Sequence, residues 1–208
     1  MSGSEAKSEG GTAKKGLWTP ANVVTVVRMV LVPVWLALAE AIPEETTGEF
    51  SVYTFIVCMV LVVLCATDKL DGYLARSRNE VTTFGKFLDP IADKLVVVVA
   101  LCFLLERGWG SSWVLLIVVA REFIVSGLRM VVAAEGVVIA ASNLGKAKTA
   151  TTMVGICGLM LCMSLSEGTF LDVMLVFSYV LLGIGVVLTI ISGVDYVVKS
   201  WPTISKTE

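Results

Sequence analysis

Histidine is missing altogether from this 208-residue chain, and only 16% of its residues carry charge. The first absence excludes imidazole acid–base chemistry and the commonest zinc-ligand sets. The second, with 56% hydrophobic residues and a mean hydropathy of +0.87, excludes an ordinary soluble surface and makes bilayer-spanning segments the first question. Five cysteines (Cys58, Cys65, Cys102, Cys157 and Cys162) are scattered through apolar runs without metal-ligand spacing, so they read as small hydrophobes. The remaining chemistry belongs to carboxylates, Lys and Arg.

Residues 1–16 contain Ser, Gly, Lys and Glu with few apolar side chains, a composition that cannot offset the entropy of ordering, and they read as a flexible tail. Trp18 suits the headgroup region and Pro20 suits a helix start. Six apolar runs follow, at about residues 22–39, 50–67, 91–105, 113–134, 149–165 and 170–198. The expected architecture is an all-α integral membrane protein with six transmembrane helices, the membrane domain covering 17–199 and a short tail covering 200–208.

The first run also invites a signal-peptide reading, because Lys14 and Lys15 precede it and Ala37-Leu38-Ala39 resembles a cleavage site. Arg28 and Pro33 speak against that reading. Asn22, Thr25 and Arg28 recur at i, i+3 and i+6, one polar stripe on an apolar helix, which should face protein or a water-filled cavity.

Alternate connections differ in charge. Those at 41–49, 106–112 and 166–169 carry Arg107 as their only basic residue. The other side receives Lys14, Lys15, Lys69, Arg76, Arg78, Lys86, Lys94, Lys146, Lys148, Lys199 and Lys206. By the positive-inside rule both termini are cytoplasmic. Gly155, Gly158, Gly183 and Gly185 allow close helix contact, either within the chain or in self-association.

Between the second and third runs stands an unusual acidic set: Asp68 and Asp71 at i, i+3, then Asp89 and Asp93 at i, i+4. If helices extend through them, each pair occupies one helix face. Four mutually repelling carboxylates at a membrane boundary require cations, and hard oxygen donors without His or Cys suit Mg²⁺ or Mn²⁺. Such metals leave positions for phosphate oxygens; Arg76 lies near in sequence, and Gly72 and Gly85 permit close backbone approach. A solvated loop whose acids pair with Lys69, Arg76, Arg78 and Lys86 is the plainer alternative. Farther along, Arg121 and Arg129 lie eight residues apart and are expected to share a helix face, with Lys146 and Lys148 on the same side of the membrane. They read as a second anion pocket partly neutralised by Glu122, or with Arg129 simply reaching to the interface.

The pattern Asp68-x-x-Asp71-Gly72-x-x-Ala75-Arg76, eight residues, then Gly85-x-x-x-Asp89-x-x-x-Asp93 resembles the signature of the CDP-alcohol phosphotransferases at every position. Asn22-x-x-Thr25-x-x-Arg28, Asp89-Pro90-x-Ala92-Asp93-Lys94, the segment 121–129 and Gly145-Lys146-x-Lys148-Thr149 are similar to the bacterial phosphatidylglycerophosphate synthase branch. The resemblance covers about residues 20–196. It departs at Thr152, near which the branch pattern has Gln, a position that bears on acceptor contacts.

This resemblance implies a six-helix membrane fold, usually dimeric, whose polar cavity opens to the cytoplasm and laterally to lipid of the inner (plasma) membrane. CDP-diacylglycerol and sn-glycerol 3-phosphate would yield phosphatidylglycerol phosphate and CMP. It implies that Asp68, Asp71, Asp89 and Asp93 hold the metal, with Asp93 also the general base. Gly72, Ala75, Arg76, Gly85, Asn22 and Thr25 would hold the cytidine diphosphate portion, and Arg121, Arg129, Lys146 and Lys148 the acceptor phosphate. Inositol phosphate, serine or phosphatidylglycerol as acceptor is the nearest alternative, and a divalent-cation transporter a more distant one. Nucleic acid is not among the implied partners.

Overall fold

The computed structural model describes residues 19–43, 49–77, 83–135, 137 and 143–205, and among them every regular element is an α-helix. In chain order these are α1 (Pro20–Glu40), α2 (Val52–Ser77), α3 (Thr83–Glu106), α4 (Ser112–Ala134), α5 (Asn143–Cys162) and α6 (Thr169–Ile204). Each apolar run read from the sequence falls on its own helix. The N-terminal tail lies outside the described residues.

Local chemistry explains where α1 starts. Thr19 is extended at the N-cap and its hydroxyl accepts from the Asn22 backbone N–H, while Pro20 occupies the first turn, where a missing N–H costs nothing. The polar stripe expected on this helix is turned inward: Asn22, Thr25 and Arg28 are all buried, whereas Val23, Val24, Val27, Val30 and Leu31 are exposed. A helix with its polar residues inside and its valines outside inverts the soluble pattern. It fits a lipid surround, where apolar contact outside is free and polar groups need protein or water.

Among the described residues, Asn22–Glu40 and Thr169–Pro202 are long and apolar enough to cross a bilayer, and Val52–Thr67 is a shorter apolar stretch. The 36 residues of α6 extend roughly 50 Å at about 1.5 Å per residue, more than the hydrocarbon core of about 30 Å.

The core joins α1, α2, α3 and α5. Trp35 donates its indole N–H to the Val57 carbonyl at 3.0 Å and meets the Phe103 ring edge-on at a centroid distance of 6.0 Å. Leu61, Leu104, Ile156, Leu159 and Met160 close around them. The most extensive helix pairing, α5 on α6, depends on small residues. A Cβ on Gly155 would stand 2.8 Å from the Leu182 backbone nitrogen, and one on Gly185 would stand 2.9 Å from that of Thr152. Gly158 likewise leaves room for Ser178. These three glycines therefore serve packing within the chain, while Gly183 is exposed with nothing within 4 Å of its missing side chain.

One end of the bundle is tied by hydrogen bonds. Arg107, just past α3, directs Nη2 at the carbonyls of Ala39, Glu40 and Ile42 at 3.4, 3.0 and 2.8 Å, adding a second donor at Ala39, which already accepts from the Ile42 N–H, and meeting those of Glu40 and Ile42 at the end of α1. Its guanidinium carbon lies 5.1 Å from the Phe103 ring centroid. The Ser51 N–H donates to Ser164 O at 2.9 Å, and the Tyr179 hydroxyl donates to Trp109 O at 3.1 Å.

Candidate functional site

At the opposite end, α2 and α3 overrun their apolar runs. Helix α2 continues to Ser77 and so carries Asp68, Asp71, Gly72, Ala75 and Arg76, while α3 begins at Thr83 and carries Gly85, Asp89 and Asp93. The i, i+3 and i, i+4 spacings are thus helical spacings, one pair on the closing half of α2 and the other on the opening half of α3. The side chains of these eight residues lie outside the described residues. Asn22 and Thr25, at the start of α1, are buried at the same end.

The described part of this end gathers around one carboxylate. Glu122 on α4 accepts from Lys148 of α5 and from Arg121 Nη1 at 3.0 Å, both on Oε1, while its Oε2 stands 3.8 Å from Lys94 Nζ of α3. Lys94 also donates to the Ser126 hydroxyl, one helical turn beyond Glu122, and Arg121 Nη2 donates to Ser192 of α6 at 3.3 Å. Four helices therefore contribute to one polar cluster.

Burial decides how strongly these charges depend on one another. The side chains of Lys148, Arg121 and Glu122 are 10%, 15% and 19% exposed, so water screens them little, and Lys94 at 31% is the outlet toward solvent. Two like charges about 4 Å apart repel by roughly 4 kcal/mol at an effective dielectric of about 20. Three cations can crowd together only because Glu122 stands among them. Removing one member of such a cluster strands the others, which costs more than the net worth of the intact pair.

Helix α6 shapes the other wall. A Cβ on Gly193 would stand 3.1 Å from Arg121 Cγ, so glycine there makes room for the arginine stem. Arg121 Nε is buried without a hydrogen-bond partner among the described residues, as is the Tyr196 hydroxyl. An unused buried guanidinium donor is costly unless a ligand accepts from it.

The four basic residues expected to share an anion pocket separate into two sets. Arg121 and Lys148 are joined through Glu122, whereas Lys146 is exposed and Arg129, also exposed, holds its guanidinium carbon 5.9 Å from the Tyr196 ring centroid. Eight residues advance an α-helix by about 800°, leaving Arg129 about 80° around the axis from Arg121. Thr152, where the sequence departs from the branch pattern, lies elsewhere. It is buried against Gly185 in the α5–α6 seam, with its hydroxyl unpartnered among the described residues, so it belongs to helix packing and not to the cation cluster.

Lys94, Ser126 and Ser192 were not among the site residues read from the sequence. Lys94 stands beside Asp93, and Ser126 is four residues from Glu122, so both had a local signal. Ser192 belongs to a stripe of buried Ser178, Gly185, Thr189, Ser192 and Ser200 on α6, small residues at helical spacing within an apolar run, which marks a contact face without naming its partner.

The family described as CDP-alcohol phosphatidyltransferase matches residues 18–191. The chain is 36% identical over 186 residues to the CDP-diacylglycerol–glycerol-3-phosphate 3-phosphatidyltransferase of Bacillus subtilis (strain 168), a match covering 86% of this chain and 94% of that protein. Proteins of the same name from Rickettsia felis and Haemophilus influenzae are each 35% identical, covering 84% and 83% of this chain and 91% and 88% of theirs. A match that runs through α1 to α6 and takes in both the aspartate-bearing helices and the Glu122 cluster places the chain in one lineage: it belongs to the CDP-alcohol phosphatidyltransferase family.

Proposed function

We propose that this chain transfers the phosphatidyl group of CDP-diacylglycerol to sn-glycerol 3-phosphate, producing phosphatidylglycerol phosphate and CMP. The observation that carries this reading is the convergence of Lys94, Arg121 and Lys148 from three helices on one buried site, at the end of the bundle where α2 and α3 carry the aspartates. Relatives covering most of the chain bear the name of this activity.

The acceptor hydroxyl oxygen attacks the phosphorus bearing the diacylglycerol group. A P–O bond forms there as the bond to the CMP oxygen breaks, and the hydroxyl proton passes to Asp93 as general base. Arg121 and Lys148 bind the acceptor phosphate, with the buried Arg121 Nε as an available donor, and Arg129 and Lys146 contribute from the exposed rim. Gly72, Ala75, Arg76 and Gly85, with Asn22 and Thr25 on α1, hold the cytidine diphosphate portion.

The donor set suits Mg²⁺ or Mn²⁺: four carboxylates at helical spacing on two consecutive helices, in a chain with no histidine. Asp68, Asp71, Asp89 and Asp93 would hold the ion. When bound, it supplies charge neutralisation for the pyrophosphate and for departing CMP.

In this reading residues 17–199 form a multi-pass domain of six spans in the inner (plasma) membrane, with 1–16 and 200–208 as tails. The basic residues at the Asp-bearing end support a cytoplasmic position for both termini and for a polar cavity there. The working unit is a homodimer surrounded by membrane lipid.

CMP release from CDP-diacylglycerol in detergent micelles with Mg²⁺ or Mn²⁺ tests the assignment by comparing glycerol 3-phosphate, inositol phosphate and no acceptor. Release that requires glycerol 3-phosphate is expected. Release with inositol phosphate alone would move the chain to another acceptor, and no release with either would overturn the reading.

A further inference from the structure

We infer that Glu122 is a positioning residue that sets both the geometry and the net charge of a phosphate receiver made from Lys94, Arg121 and Lys148, and so selects a phosphate monoester dianion as acceptor. This rests on the proposed transfer to glycerol 3-phosphate and goes beyond it in two respects. It gives the carboxylate of an otherwise cationic site a task, and it adds Lys94 to the residues that receive the acceptor.

The three cations come from α3, α4 and α5, and nothing in local chain geometry brings them together. Glu122 does so, because both its oxygens are used: Oε1 for Lys148 and Arg121, Oε2 for Lys94. Without that carboxylate, three positive charges would push one another apart, and the long Lys94 side chain, the most exposed of the three, would turn to water. With it, three cations against one anion leave two positive charges, complementary to a phosphate monoester carrying about −1.5 to −2 near neutral pH. A neutral alcohol or a zwitterion would leave that charge unmatched in a poorly hydrated site, which is discrimination by unpaired charge.

Lys94 also gives the receiver a position along the reaction path. It follows Asp93 directly in α3, so the group that holds the acceptor phosphate and the proposed base for the acceptor hydroxyl belong to one helical turn. Ser126, one turn along α4 from Glu122, also accepts from Lys94, and Ser192 together with the absent side chain of Gly193 fixes Arg121.

The test is steady-state kinetics of Glu122→Gln, which keeps the shape and removes the charge, and of Glu122→Asp, which keeps the charge and shortens the reach. Acceptor and CDP-diacylglycerol are varied separately, and inorganic phosphate serves as competitor against glycerol 3-phosphate. For Glu122→Gln the KM for glycerol 3-phosphate is expected to rise about ten- to a hundredfold, the scale of one charge-assisted hydrogen bond, with the KM for CDP-diacylglycerol within about twofold of wild type. The inhibition constant of inorganic phosphate should rise in parallel, since the receiver reads phosphate and not glycerol, and Glu122→Asp should recover part of the loss.

An acceptor KM within about twofold of wild type in Glu122→Gln would overturn the inference. So would a lowered acceptor KM, which would make Glu122 a competitor of the phosphate, or a parallel rise in both KM values with a collapsed melting transition, which would make it merely structural. If Glu122→Gln does not fold, Glu122→Asp and Lys94→Met carry the same comparison, and both must raise the acceptor KM and the phosphate inhibition constant selectively. Wild-type protein that fails to use glycerol 3-phosphate would instead remove the underlying assignment, a result distinguishable because it appears before any substitution is made.

Discussion

The two ends of the bundle each use an arginine that is partly withdrawn from water, and they use it in opposite ways. At one end Arg107 spends a nitrogen on the carbonyls of Ala39, Glu40 and Ile42 and lays its charge over Phe103. At the other, Arg121 shares Glu122 with Lys148 and Lys94 and keeps Nε unused among the described residues. One arginine turns a nitrogen to the fold's own carbonyls, and the other keeps a buried donor with capacity for a ligand. Buried donors left over after folding are a sharper sign of a binding site than charge itself, since leaving such a donor unpaired is costly.

This contrast is tested most severely at the aspartates. Asp93→Asn should abolish turnover, a loss of about 10²–10⁴-fold expected for removing a general base, while helix content by circular dichroism stays unchanged. Wild-type-like turnover in that variant would end its assignment as base. Asp68→Ala and Asp71→Ala should lose activity almost as completely, and chelation should reproduce the loss in wild type with recovery on adding Mg²⁺ or Mn²⁺. Full turnover after chelation would count against a metal site.

Within the cation cluster the effects should be graded by burial. Lys148→Met should raise the KM for glycerol 3-phosphate by about ten- to a hundredfold, because a charge-assisted contact is lost and Glu122 is left with fewer partners. Arg129→Ala, which removes an exposed guanidinium from the face of Tyr196, should change the same KM by less than about fivefold, the scale of a cation–π or rim contact. Equal losses at Lys148 and Arg129 would show that the acceptor reaches across both sets.

The smallest catalytic effect belongs to the tied end. Arg107→Ala should leave both KM values unchanged and destabilise the fold by about 1–2 kcal/mol through the lost contacts to the Glu40 and Ile42 carbonyls, read as a lowered melting temperature in detergent. A selective change in acceptor KM there would mean that the two ends communicate.

Periodicity made much of the fold legible. The stripe Asn22, Thr25 and Arg28 was expected to face inward on an apolar helix, and all three are buried. The spacings of the aspartates were expected to be helical, and α2 and α3 run through them. Both readings follow from a relation confined to a few turns of one helix, which chain geometry makes nearly obligatory. Arg129 was expected to share a helix face with Arg121, but eight residues leave it about 80° around the axis, and it stands over Tyr196 apart from the Glu122 cluster. Thr152 was harder to read: its place against Gly185 depends on how closely α5 approaches α6, and that follows from glycines on both helices acting together.

The amino-acid sequence by itself determined the helical, lipid-compatible character of the chain and the acidic motif, because hydropathy and helical spacing are properties of consecutive residues. Only the tertiary structure decided that Glu122 would gather Lys94, Arg121 and Lys148, that Ser192 would hold Arg121, and that Arg129 would stand apart. Those partners lie on different helices, and charges choose one another through burial and distance, which exist only once the helices have packed.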